Sequence, residues 1–155
     1  MTAKKIYLDV CCLCRPFDDQ NVHRIRMETE AITEILKRCM TDWELVGSEA
    51  IESEILEIAD EERRENIESV LQFARSRVEV DDVVENIARQ YHRFGLDTFD
   101  ALHLACAYHA GAIFLTTDDS LIKSIKKHKD KISTGVQNPV QWLMEVTMDG
   151  SEDVE

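Results

Sequence analysis

The sequence holds few of the residues that interrupt or cross-link a chain. Five glycines and two prolines are spread over 155 residues, so no stretch serves as a linker between domains, and no internal repeat is found. No run of about 18 apolar residues occurs, which excludes a transmembrane helix. The apolar segment from Ile6 to Cys14 is broken by Asp9. It makes a poor signal-peptide core, and a soluble, cytoplasmic protein is expected. Cysteine is scarce and odd in number: Cys11, Cys12 and Cys14 crowd one segment, with Cys39 and Cys106 remote. That pattern fits reduced, buried thiols and not a disulfide framework. Positive charge is also in deficit, with 18 Lys and Arg against 31 Asp and Glu and a net charge of −13. Such a surface repels phosphate and excludes a nonspecific nucleic-acid coat.

The length suits one domain, which at this size buries roughly 70% of its unfolded surface without a metal or disulfide. The acidity is uneven. Residues 49–68 carry nine acids and two bases, and residues 148–155 carry four acids and no base. That terminal stretch is expected to be a disordered tail.

Hydrophobic spacing sets out the elements. Ile6-Tyr7-Leu8 is a buried strand with an apolar continuation through Cys14, broken by Pro16 and Asp18-Asp19. Ile25, Ile32, Ile35, Leu36 and Cys39 recur at helical spacing between Val22 and Met40. Leu45-Val46 is a second strand, and Ser48 caps a helix holding Ile51, Ile55 and Ile58. Asp60 caps a helix with the stripe Ile67, Val70, Leu71 and Ala74, and Val78 and Val80 form a brief strand. A helix with Val84, Ile87, Ala88 and Tyr91 on one side stops at Gly95. Thr98 to Ala110 is helical and apolar almost all round, ended by Gly111. Strand Ala112 to Leu115, a short helix from Ser120 to about Lys126, a last strand from Ser133 to Val136, and a helix started by Asn138-Pro139 complete the chain. Strands alternating with helices give an α/β fold with a parallel sheet.

The informative residues are acids set among apolar neighbours. Asp9 ends a central strand with no evident capping duty, and an ionised carboxylate there costs several kcal/mol unless paired or metal-bound. Asp100 opens the most apolar helix, Asp118 follows the Ala112–Leu115 strand, and Glu54 can face inward beside Ile55. Each has a plainer reading: Asp118 or Asp119 as a helix cap, Asp100 as a first-turn acid favoured by the dipole, Glu54 as one of many acids. Taken together they form a pattern, because carboxyl ends of neighbouring parallel strands converge on one crevice. Converging carboxylates raise one another's pKa until a cation neutralises them. Oxygen ligands without a His pair favour Mg²⁺ or Mn²⁺, and such a site supports phosphodiester hydrolysis with ions ~3.5–4 Å apart.

Tyr7-Leu8-Asp9, Arg15-Pro16-Phe17-Asp18-Asp19-Gln20, Ser48-Glu49-Ala50-Ile51-Glu52-Ser53-Glu54-Ile55, Asp100-Ala101-Leu102-His103-Leu104-Ala105-Cys106-Ala107 and Thr116-Thr117-Asp118 stand in one order. In that order the chain resembles the PIN-domain nuclease family, which includes VapC-type toxins of toxin–antitoxin pairs, over roughly residues 5–146. The resemblance implies a three-layer α/β/α sandwich with a central parallel sheet, as one domain over residues 1–147. It implies Asp9, Glu54, Asp100 and Asp118 as catalytic ligands of Mg²⁺ or Mn²⁺, with Thr116 hydrogen-bonded inside the pocket. Cys11 stands where many members carry Ser or Asn and is a poorer hydrogen-bonding partner. The implied activity is endonucleolytic cleavage of RNA by metal-activated water, leaving a 3′-hydroxyl and a 5′-phosphate. A homodimer is implied too, with an antitoxin whose Arg or Lys enters the acidic pocket. The alternative is an inactive PIN module that binds RNA or a protein; the presence of all four acids favours the enzyme.

Other features weigh less. Cys11-x-x-Cys14 has the spacing of a redox motif, but packing explains these thiols, and a zinc site would need two further close ligands. A phosphoaspartate hydrolase would want a second acid where Cys11 stands. His103 is expected as a core histidine bonded to a neighbour, and the other four histidines as surface residues. Arg15, Arg24 and Arg26 are candidates for gripping phosphate or a partner, or for salt bridges to Asp18, Asp19 or Glu28. Lys123, Lys126, Lys127, Lys129 and Lys131 form the one sustained basic run, either an RNA guide or a solvated face. Asp119 could assist the site, whereas Asp97 precedes its helix and is left out.

Overall fold

Among the described residues five short strands form one parallel sheet: β1 (Lys5–Leu8), β2 (Glu44–Ser48), β3 (Ser76–Val78), β4 (Ile113–Leu115) and β5 (Val136–Gln137), in the order β3-β2-β1-β4-β5. The computed structural model describes residues 4–148, so the expected acidic tail beyond Met148 lies outside the described residues. β1 sits at the centre, pairing Ile6 with Leu45 on one side and Leu8 with Leu115 on the other. Ile6, Tyr7 and Leu8 are at most 1% exposed, as expected of a strand covered by helices on both faces. The chain steps from β1 through β2 to β3 in one direction and then crosses to β4 and β5. With right-handed crossovers this places helices on both faces of the sheet, the α/β/α sandwich expected from the sequence. Among the described residues no helix is long and apolar enough to cross a membrane.

The helices among the described residues are α1 (Val10–Cys14), α2 (His23–Cys39), α3 (Glu49–Ile55), α4 (Glu61–Leu71), α5 (Asp82–Arg93), α6 (Thr98–Ala110), α7 (Asp119–Lys127) and α8 (Pro139–Met148), with a 3-10 turn at Arg15–Phe17. Most start on a side chain that accepts an otherwise orphaned backbone N–H: Ser48 for α3, Asp60 for α4, Asp81 for α5, Asp97 for α6 and Asp118 for α7. Gly111 closes α6 at φ 70° and Gly95 follows α5 at φ 101°, a backbone that side chains with a Cβ rarely adopt. α6, buried along most of its length, lies across β1 to β4 and packs on α5, while α2 packs on α8.

Four expectations shift. The apolar continuation after Leu8 is not strand but α1, because Asp9 turns the chain and its carboxylate accepts from Val10 N at 2.8 Å. The helix started by Ser48 ends at Ile55, leaving Ile58 beyond it. In α4 only Ile67 is fully buried, with Ala74 past its end. The last strand lies one to three residues later than spacing suggested.

A buried acid ties the layers together. Glu28 on α2 is 1% exposed and accepts from Arg15 Nε at 2.7 Å, Arg24 Nε at 2.9 Å and Asn138 Nδ2 at 2.8 Å. A carboxylate with three donors is compensated. Without it Arg15 keeps Asp18 and Arg24 keeps Asp119, so the loss falls on the buried hydrogen bonds, that of Asn138 Nδ2 included. Glu28→Ala is expected to lower stability by about 1–3 kcal/mol, read as a lower urea midpoint at unchanged denaturant slope.

Candidate metal centre

The strand order reverses between β1 and β4, and their carboxyl ends open one crevice. Asp9 leaves β1 there, its backbone N–H continuing the ladder to Leu115 O at 2.9 Å. Its Oδ2 accepts from Thr116 Oγ1 at 2.8 Å, just past β4, while Oδ1 takes the Val10 N–H. The capping duty that Asp9 was expected to lack therefore exists, but it uses one oxygen. Asp9 is 6% exposed, and burial raises its pKa against the opposing help of His103 and Thr116.

Glu54 reaches the same place from α3. One ligand atom each of Asp9, Glu54 and His103 lies within 4.8 Å of the others. His103 is 0% exposed; its Nε2 meets Glu54 Oε1 at 2.6 Å and its Nδ1 meets Tyr7 Oη at 2.7 Å. It is the core histidine that the sequence suggested. The neighbour it bonds is a candidate ligand 49 residues away, a pairing that no local spacing reveals.

Asp100 sits in the first turn of α6, where the helix dipole favours an anion. Its carboxyl is nevertheless pushed up to about 7, first by burial and then by the charges of Asp97 and Asp9. Desolvation and like charge outweigh the dipole. Asp97, left out of the candidate set, caps α6 through Asp100 N at 2.9 Å and adds to that repulsion. Asp118 is exposed and caps α7 through Leu121 N at 3.1 Å, and its own N–H donates to Thr116 Oγ1 at 3.1 Å. It stands outside the Asp9–Glu54–His103 group and joins Asp9 only through Thr116.

The donor set is less purely oxygen than expected, since an imidazole and a thiol lie alongside. Cys11 Sγ is 3.5 Å from Asp9 Oδ2 and 3.4 Å from Thr116 Oγ1, and it accepts from Thr117 N at 3.4 Å. Cys11 thus replaces a hydroxyl with longer, weaker contacts. All five cysteines are free thiols.

The arginines are engaged elsewhere. Arg15 pairs with Asp18 and Glu28, and Arg24 with Glu28 and Asp119, as the salt-bridge reading foresaw. Asp119 is therefore held by Arg24, at 2.8 and 2.9 Å, and not by the acid cluster. Arg24 also donates to Thr117 O at 3.1 Å, anchoring the turn that carries Asp118. Arg26 contacts Gln20 O and His23. The five lysines between 123 and 131 are all exposed. Among the described residues, no arginine or lysine pairs with Asp9, Glu54, Asp100 or Asp118. Carboxylates without an arginine or lysine partner could hold a divalent metal ion; Asp9 and Glu54 are brought together with His103, whereas Asp100, like Asp118, stands outside that group and is linked to Asp9 by the charge that raises its pKa.

Asp100 also imposes a pH dependence on the apo protein. Its folded carboxyl keeps a proton up to about pH 7, whereas an unfolded chain releases it near ~4. The folded state binds more protons in that window, so this residue's contribution to stability falls as pH rises from about 4 to about 7. In EDTA, thermal scans are expected to show wild type losing Tm relative to Asp100→Asn across this range, with the gap constant above it.

The family model for the PIN domain matches residues 6–127. FitAcB from Neisseria gonorrhoeae superposes with a TM-score of 0.59 at 16% identity, over 86% of this chain and 97% of that one. FitAB bound to an IR36 DNA fragment gives a TM-score of 0.59 at 18% identity, over 87% and 95%. At these identities the likeness is one of fold. No curated protein sequence matches the chain. With the family model spanning most of the sequence and the acids gathered at the sheet's switch point, this chain belongs to the PIN domain family.

Proposed function

We propose that the protein is a divalent-metal-dependent endoribonuclease that hydrolyses RNA phosphodiester bonds. The observation that carries this reading is the meeting of Asp9 and Glu54 beside His103, with Asp100 near enough to feel the charge of Asp9, and with no arginine or lysine among the described residues paired to any of these acids. Mg²⁺ or Mn²⁺ at that position would polarise the scissile phosphate and lower the pKa of an attacking water.

The chain's own residues prepare the site. Thr116 donates to Asp9 and receives the Asp118 N–H, so one hydroxyl locks the ends of β1 and β4 in register. Val10 N fixes the second oxygen of Asp9, and His103 fixes one oxygen of Glu54. Asp118, exposed and joined to Asp9 through Thr116, is the fourth acid of the proposed site. Arg24 holds the 117–119 turn in place and is thereby a scaffold for the rim, not a phosphate grip.

The toxin context follows from family likeness. A partner that inserts an arginine or lysine among these carboxylates would neutralise them in the manner of a metal and silence the enzyme. We propose such an antitoxin, a homodimeric toxin and a cytoplasmic site of action. A net charge of −13 opposes loose RNA binding, so a narrow substrate range is expected.

The test is cleavage of a varied RNA panel with Mn²⁺, followed by gel. Wild type is expected to cut and to stop in EDTA. Removing a ligand costs more than removing the group that orients it, so Asp9→Asn and Asp100→Asn are each expected to slow cleavage by at least about a hundredfold. Equal behaviour of wild type and both variants across the panel would sink the enzymatic reading.

A further inference from the structure

Behind the acid cluster runs a closed chain of buried hydrogen bonds. Tyr7 on β1 and His103 on α6 are both 0% exposed, and Ser48, at the end of β2, is 1% exposed. Tyr7 Oη lies 2.6 Å from Ser48 Oγ and 2.7 Å from His103 Nδ1, and His103 Nε2 lies 2.6 Å from Glu54 Oε1. Ser48 Oγ also accepts the Ile51 N–H at 3.0 Å. The chain therefore leaves α3 at its N-terminus and returns to α3 at Glu54.

The direction of each proton follows from what the ends allow. A carboxylate oxygen accepts, so Nε2 is the ring nitrogen that presents a proton to Glu54. In that tautomer Nδ1 accepts, and the Tyr7 hydroxyl donates to it. The Tyr7 oxygen in turn accepts from the Ser48 hydroxyl, whose own oxygen is capped by Ile51 N–H. This assignment uses every hydroxyl proton once and leaves no buried group unpaired. Burial also holds the Tyr7 phenol well above its ordinary range, so its donor proton stays in place.

We infer that Tyr7 and His103 are positioning residues for Glu54: they tie down one carboxylate oxygen and fix the imidazole tautomer, leaving the other oxygen for a divalent cation shared with Asp9. This rests on the metal centre assigned above, but not on the identity of the substrate. It also decides between two roles for His103 within the Asp9–Glu54–His103 group. As a positioning residue it keeps Nε2–H toward Glu54; as a metal ligand it would carry its proton on Nδ1, toward Tyr7, and offer Nε2 to the ion.

The experiment reads metal binding and tautomer, not cleavage. Mn²⁺ alone is titrated calorimetrically into wild type, Tyr7→Phe, His103→Gln and His103→Leu, each checked for folding by near-UV circular dichroism. Tyr7→Phe keeps the ring packing and removes only the hydroxyl. It is expected to weaken Mn²⁺ binding about tenfold, the low end of what groups that orient metal ligands contribute. His103→Gln retains an N–H donor near the Nε2 position and is expected to stay within about threefold of wild type, while His103→Leu falls at least as far as Tyr7→Phe. Nitrogen-15 spectra of unmutated protein with Mg²⁺ are expected to show His103 protonated on Nε2, which needs no variant to fold. Unchanged Mn²⁺ affinity in both Tyr7→Phe and His103→Leu would overturn the inference. Equal loss in His103→Gln and His103→Leu, or a proton on Nδ1, would overturn it too by making His103 a ligand. Failure of wild type to bind Mn²⁺ would overturn both this and the metal centre. Absence of RNA cleavage with these affinities as expected would refute only the ribonuclease reading.

Discussion

Negative charge taken out of water must be answered, and here the chain does not answer it with its own cations. Asp9 is nearly fully buried and Asp100 is half-buried, and both are shifted toward protonation by desolvation, with the charge of Glu54 adding at Asp9 and those of Asp97 and Asp9 adding at Asp100. A protein that needed only stability would place an apolar residue in such a position, or a guanidinium beside it. This one supplies hydroxyl, thiol and backbone donors, which hold the carboxylates in orientation without cancelling their charge. The repulsion is retained in the folded state, and an added divalent ion is the species that relieves it.

The contrast with Glu28 is instructive. It is as buried as Asp9, yet two arginines and an asparagine surround it, and it belongs to the scaffold. The two environments are linked through Arg24, which reaches from Glu28 to Asp119 and to the carbonyl of Thr117. The compensated acid thereby braces the turn that carries the rim of the uncompensated one. Sorting buried carboxylates by whether they meet a cation separates structure from chemistry within a single molecule.

Much of this was legible in the sequence because it is local. Helical periodicity between Val22 and Met40, the caps Ser48, Asp60 and Asp118, and the stops at Gly95 and Gly111 depend on neighbours a few residues away. Asp9 stood out because a lone acid in an apolar run has no local partner. What stayed hidden depends on distant segments. Apolarity alone did not distinguish a continued strand from α1, since both would be buried. Arg15 and Arg24 could be read as phosphate grips or as partners of Asp18, Asp19 or Glu28, and the fold decides for the ion pairs while adding Asp119, 95 residues from Arg24. His103 was placed correctly in the core, but its bonds to Glu54 and Tyr7 span 49 and 96 residues. Glu54 itself, among nine acids in twenty residues, carried only a weak local signal, its place beside Ile55, and family likeness gave it its role.

The bond from Thr116 to Asp9 joins residues 107 positions apart, and β1 forms its ladder with β4 across a similar interval. Parallel pairing over such distances is slow to form, because loop closure must precede the contacts that reward it. During synthesis, Asp9 and Glu54 leave the ribosome long before the strand that completes their crevice. A chain arrested anywhere before residue 116 therefore carries its first acids without the hydroxyl that orients them. On the proposed ribonuclease reading, this topology withholds the cutting site until about three quarters of the 155 residues have been made.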